Sequence, residues 1–174
     1  MRLIAGSVRP AHRLRALGNA VNLSTLLGLG LAAAGRARLH RGPQALLLAE
    51  EYRLPLPKAG AFTVGNVVLV PGCSLAEVER RFPGTTAHEA AHAWQYFAFL
   101  GLPFLPAYAA AAGWSWLRTG DPGSANWFER KAGLARGGYR ELPVTNAGFR
   151  RIGRVAGARL RFHRRSPRTD GLQS

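Results

Sequence analysis

The sequence predicts an α+β fold, a small β-sheet of two to three strands packed beside a helical cluster. Three observations predict it. Apolar and β-branched residues concentrate in the stretch 44–70. The residues after it carry helix caps, small residues and turn punctuation instead of strand patterns. A chain of 174 residues with 47% hydrophobic content suits one compact domain with a buried core. Strands early and helices late is the α+β order.

Residues 11–36 read as one N-terminal helix, with a break expected near Gly28 and Gly30. Residues 44–49, following Gly42 and Pro43, read as a strand, and 52–58, with Pro55 and Pro57, as an extended connector. Residues 61–70 centre on Gly65-Asn66 and read as a tight hairpin or a bulged strand. Ser74 and Glu77 form a capping box that starts a short helix ending near Arg81. Thr85 or Thr86 is expected to cap a longer helix through Leu100. Pro103 and Pro106 make 101–106 a turn, before a small-residue helix over 107–117. Ser124 is expected to cap a helix from Asn126 to about Leu134. The sheet thus falls at 44–70 and the site helices at 85–135. One domain covers 1–157, and 158–174 are expected to form a basic, disordered tail.

The net charge is +15, nearly all from arginine; only Lys58 and Lys131 are lysine. The cations crowd between Arg150 and Arg168, as in a solvated tail able to make weak contact with anionic lipid or nucleic acid. The single cysteine, Cys73, excludes an intramolecular disulfide framework. Residues 16–35 carry no charge and follow Arg9, Arg13 and Arg15. Asn19, Asn22, Ser24 and Thr25 lower the hydropathy of that run, so a buried helix in a cytoplasmic protein is expected. A membrane-associated or secreted protein, anchored or targeted through 16–35, is the alternative. The uncharged run 97–117 is interrupted by Pro103 and Pro106 and reads as two elements, not one span.

The chemistry-bearing motif is His88-Glu89-Ala90-Ala91-His92. On a helix, i and i+4 share a face, so both imidazoles can reach one metal ion. Glu89 is offset by about 100° and lies beside that ion, placed to act as the base towards a water that zinc acidifies. With five histidines and seven glutamates in the chain, chance would produce this pattern about 0.006 times. His88 and His92 are therefore the expected Zn2+ ligands and Glu89 the catalytic base.

This His-Glu-x-x-His pattern resembles that of the zincin metallopeptidases. Residues 63–139 resemble a set of small actinobacterial proteins that carry it with a downstream Asn-x-Phe-Glu-Arg, here Asn126 to Arg130. Gln95 and Ala98 stand where a metzincin has glycine and histidine, so the likeness is to the gluzincin type. That resemblance implies a minimal zincin-like fold and a third ligand from a glutamate on a later helix. Glu129 fits it; Glu141 precedes a loop proline and Asp170 lies in the tail. The gluzincin aspartate four positions further on is replaced by Gly133, which leaves Asp121 as a substitute for orienting a histidine. The extension to Gln95 resembles small peptidase-like domains with HExxHxxQ. Gln95, Tyr96, Asp121, Asn126 and Tyr139 complete the candidate outer set, the tyrosines as oxyanion stabilisers with His163 a more distant one. The expected activity is hydrolysis of a peptide or protein substrate. The alternatives are a non-catalytic, zinc-stabilised interaction module and a membrane-surface protein.

Overall fold

Gly65 and Asn66 turn the chain between β3 (Phe62–Val64) and β4 (Val67–Pro71) in a computed structural model that describes residues 8–55 and 60–164. Gly65 sits at φ +63°, and a Cβ there would come within 2.4 Å of the Ser24 carbonyl carbon, so the turn needs glycine on both counts. The hairpin reading of 61–70 is therefore the correct one.

The sheet is larger than expected. Four strands, including β1 (Arg38–Arg41) and β2 (Leu47–Tyr52), lie in the order β1-β2-β4-β3. β2 and β4 are parallel, and the two outer pairings are antiparallel. β1 escapes a sequence reading because all four of its residues are exposed, which removes the apolar alternation that marks a half-buried strand. The strand expected at 44–49 begins only at Leu47, because Pro43–Ala45 form a 3-10 turn with Gln44 and Ala45 at positive φ. Tyr52 closes β2, and 56–59 of the expected connector lie outside the described residues.

β4 is the hub of the core. Val67, Val68, Leu69 and Val70 are all buried. Alternation sends Val67 and Leu69 towards Ala32, Tyr96, Phe104 and Phe128, and Val68 and Val70 towards Leu48, Leu75, Val78 and Ala93. Helices thus cover both faces, which is why this strand reads as a continuous apolar run.

The N-terminal segment is two helices and not one. α1 (Pro10–Val21) and α2 (Ser24–Ala34) meet at 77°. The break falls at Asn22-Leu23, not near Gly28 and Gly30. Asn22 Oδ1 accepts from the Ser24 backbone N–H at 3.1 Å and from its hydroxyl at 2.6 Å, an Asx turn that competes with helical bonding. Gly28 serves packing instead, since a Cβ there would lie 2.5 Å from the Val64 carbonyl oxygen. Among the described residues no single helix is long and apolar enough to cross a membrane; only the bent α1–α2 pair has the length and composition.

Ser74 caps α3 (Leu75–Arg81) through the expected box, with Glu77 Oε2 accepting from the Ser74 N–H at 2.8 Å. Gly84, not a threonine, is the N-cap of α4 (Thr85–Ala98). Its free N–H groups are met from outside the helix. The Glu79 carboxylate accepts from Gly84 N at 2.6 Å and from Thr86 N at 2.8 Å. α5 (Phe104–Thr119) starts earlier than expected, because Pro106 occupies its first turn, where a missing N–H costs nothing. α6 (Trp127–Ala132) is capped by Asn126, whose side chain accepts from Phe128 N, and not by Ser124. Helix α7 (Ala147–Arg164) extends past 158, the start of the expected basic tail. Residues 165–174 lie outside the described ones.

Candidate metal centre

Two helices and one 3-10 turn build the site. Capped by Glu79 and held between sheet and helices, α4 presents His88, Glu89 and His92 on its buried side. Packed against α4, α6 turns Glu129 onto it, where its carboxylate is buried. The turn Leu134–Gly137 then packs against the first histidine. A Cβ on Gly137 would fall 2.5 Å from the His88 ring, so the backbone closes there only with glycine.

His88 Nε2 lies 3.0 Å from His92 Nε2. Glu129 Oε2 is 3.1 Å from the first and 3.5 Å from the second. All three atoms fall within 4.8 Å of one another.

The hydrogen bonds behind them set the proton positions. His88 Nδ1 is 3.2 Å from the Gly133 carbonyl oxygen. A carbonyl only accepts, so Nδ1 carries the proton. His92 Nδ1 is 2.8 Å from Gln95 Oε1, and Gln95 Nε2 donates to the Phe128 carbonyl at 2.9 Å. That second bond fixes the amide orientation and makes His92 Nδ1 a donor too. Both Nε2 atoms therefore present lone pairs to the same point as Glu129 Oε2. That oxygen is buried and has no hydrogen-bond partner, while the other, Oε1, accepts from the Tyr108 hydroxyl.

Three lone-pair donors in mutual contact repel unless a cation lies among them. Two ligands on a tetrahedral zinc with ordinary bond lengths sit roughly 3.3 Å apart, and the three separations bracket that value. Two imidazoles and a carboxylate are also a donor set that suits zinc. The residues present fit the ion.

Burial would by itself raise the Glu129 carboxyl; the two imidazoles facing Oε2, when they carry a proton in place of an ion, and the Tyr108 hydroxyl outweigh it and hold the group well below the carboxylate range. For Glu89 burial wins and raises the carboxyl, against the pull of both imidazoles and of Thr63. The Thr63 hydroxyl lies 2.7 Å from Glu89 Oε2 and 3.1 Å from its backbone carbonyl. A cavity of about 600 Å³ opens over these groups, lined among others by Phe62, Thr63, Leu105, Tyr108 and Tyr139.

The structure thus brings together His88, Glu89, His92, Glu129 and Gln95. Tyr139 lines the cavity with its ring 6.4 Å from that of His88, its phenol pushed up by burial to about 12. Tyr96 touches the cavity but is buried against Phe104 as a core residue. Asp121 does not orient a histidine. Its carboxylate accepts from the Gly123 and Ser124 N–H groups and shapes its own loop. Asn126 is spent on capping α6. His163 falls in α7, with its side chain outside the described ones. The sequence reading missed Thr63, Tyr108 and the Gly133 carbonyl. Tyr108 left one trace, as a hydroxyl-bearing ring within a run of alanines; the other two left none.

No protein-family model matches the chain, and comparison with curated proteins and with solved structures finds no significant match to either.

Proposed function

We propose that the chain is a zinc-dependent metallohydrolase, in the first place a peptidase. One observation carries the reading: the lone pairs of His88 Nε2 and His92 Nε2 and the unpartnered Glu129 Oε2 converge on a single point beside Glu89. His88, His92 and Glu129 would hold the ion, which supplies Lewis acidity that polarises a carbonyl and eases deprotonation of water. Gly133 and Gln95 keep the histidines in the tautomer that binds it. Thr63 anchors Glu89 Oε2 and leaves Oε1 to take a proton from water and pass it to the leaving amine. A peptide is favoured by the position of β3. It is an edge strand of the sheet, and its three residues line the cavity, so an extended chain can pair with it next to Glu89.

Elemental analysis of the purified protein tests the site, with about one zinc per chain expected. His88→Ala, His92→Ala and Glu129→Ala should each lose tightly held zinc, whereas Asp121→Ala should keep it. Glu89→Gln should retain zinc and fold but abolish cleavage of a peptide library. Full zinc in both histidine variants would refute the metal centre. Undiminished cleavage by Glu89→Gln would refute the catalytic role and leave a zinc-stabilised module.

A further inference from the structure

The two uncharged runs of the sequence, 16–35 and 97–117, meet in space. The corner between α1 and α2 packs on the corner between α4 and α5. Gly101 stands so close to Asn22 that a Cβ would come within 2.5 Å of its Cγ, and Gly18 packs on the Phe97 ring. Large apolar side chains point outward from both corners: Val21, Leu23 and Leu26 from the first, Leu100, Leu102 and Leu105 from the second. Their exposure runs from 39% at Leu102 to 78% at Leu100. Leu14 and Leu17 extend the patch along α1. An apolar surface built from two corners of the fold marks a contact site and not a scatter of single exposed residues.

Two of these leucines also hold costly backbone conformations. Leu23 has φ 69° and Leu100 φ 56°, the left-handed region that glycine or asparagine fills more easily. Folding gains nothing from an exposed leucine there.

The flanking charge decides what covers the patch. No acidic residue occurs before Glu50, and none lies between Glu89 and Asp121. Arg9 and Arg13 lie at the start of α1, on the helix that carries Leu14 and Leu17, and Arg36 follows α2. Two copies joined through this surface would bring like charges together. An anionic lipid surface offers both an apolar layer for the leucines and phosphates for the arginines.

The inward faces of the same helices exclude a spanning arrangement. Asn19 donates to the Gly65 carbonyl at 3.1 Å and to the Ala93 carbonyl at 2.8 Å, and Arg15 is buried with Nε on Asn66 at 3.1 Å. Leaving the domain to cross a bilayer would break all of these bonds. We propose that the corners α1–α2 and α4–α5 form a docking surface that seats the protein on an anionic membrane, with the leucines entering the interface and α1 and α2 lying on it. Leu105 belongs both to this surface and to the lining of the cavity, so the mouth of the candidate metal centre would open beside the lipid.

Flotation of the full chain with phosphatidylcholine vesicles, with and without about one-third phosphatidylglycerol, tests this. The protein should float with the anionic vesicles and only weakly with the uncharged ones. The double variant Leu26→Gln, Leu100→Gln changes no charge and no buried residue. It should keep the circular dichroism spectrum and melting temperature and lower the partition coefficient at least about tenfold. Equal flotation of variant and wild type would assign binding to the arginine-rich C-terminus and overturn the proposal. So would failure to float, equal binding to both vesicle types, or a leucine-dependent dimer in analytical ultracentrifugation without flotation.

Discussion

His92 Nδ1 donates to Gln95 Oε1 across 2.8 Å, within one turn of α4. The same amide reaches the Phe128 carbonyl at 2.9 Å. One side chain therefore sets the tautomer of a candidate ligand and ties α4 to the helix that carries Glu129. Replacing it with leucine keeps the volume but removes both bonds. Gln95→Leu should weaken zinc affinity about 10- to 100-fold, the scale of lost outer hydrogen bonds at metal sites. Competition with a chromogenic chelator measures it. Unchanged affinity would show that packing alone orients His92.

Gly137 is the steric constraint that bears directly on a candidate ligand. A Cβ there would meet the His88 ring at 2.5 Å, and that ring is buried and held by its hydrogen bond to Gly133. Gly137→Ala should displace His88, with a loss of about 1–3 kcal/mol of stability and a marked fall in zinc content. Gly153→Ala, in α7 with open space around it, is the control and should keep the zinc content and lose no stability. If Gly137→Ala held zinc like the wild type, the turn over His88 would be loose in solution.

Glu79 caps α4 from α3. Burial acts to raise its carboxyl, but the N–H groups of Thr86 and Gly84 and the Thr86 hydroxyl outweigh it, so the group titrates below its ordinary value. A depressed folded-state pKa stabilises the protein above the unfolded value and ceases to do so as pH falls through the folded one. Glu79→Ala should therefore lower the melting temperature at pH 7 by about 2–4 °C, the scale of one lost cap. The gap between variant and wild type should narrow as the pH is lowered below the carboxylate range. A gap of the same size in acid and at neutrality would mean that the carboxylate charge contributes nothing to the cap.

Features written along a single element were legible in the sequence. The Ser74 box, the Gly65-Asn66 turn, the apolar run of β4 and the i, i+4 pair of His88 and His92 each depend on spacing within one helix, strand or turn. Glu129 was legible for a different reason: acidic residues are so few after the motif that elimination and the Asn-x-Phe-Glu-Arg resemblance single it out. Its approach to within 3.5 Å of both imidazoles was decided by tertiary packing of α6 on α4. The partner of His88 Nδ1 is the carbonyl of Gly133, and a backbone oxygen carries no mark of identity in a sequence. Tyr108 and Thr63 reach the site from α5 and β3, elements whose own patterns report only burial. The corner at Asn22-Leu23 and the exposed strand β1 were likewise hidden, because one is set by a side-chain hydrogen bond and the other by pairing alone. The sequence by itself determined the α+β class and the donors lying on one helix face. Which distant atoms orient those donors, and which apolar residues are left facing outward, was settled only when the elements packed against one another.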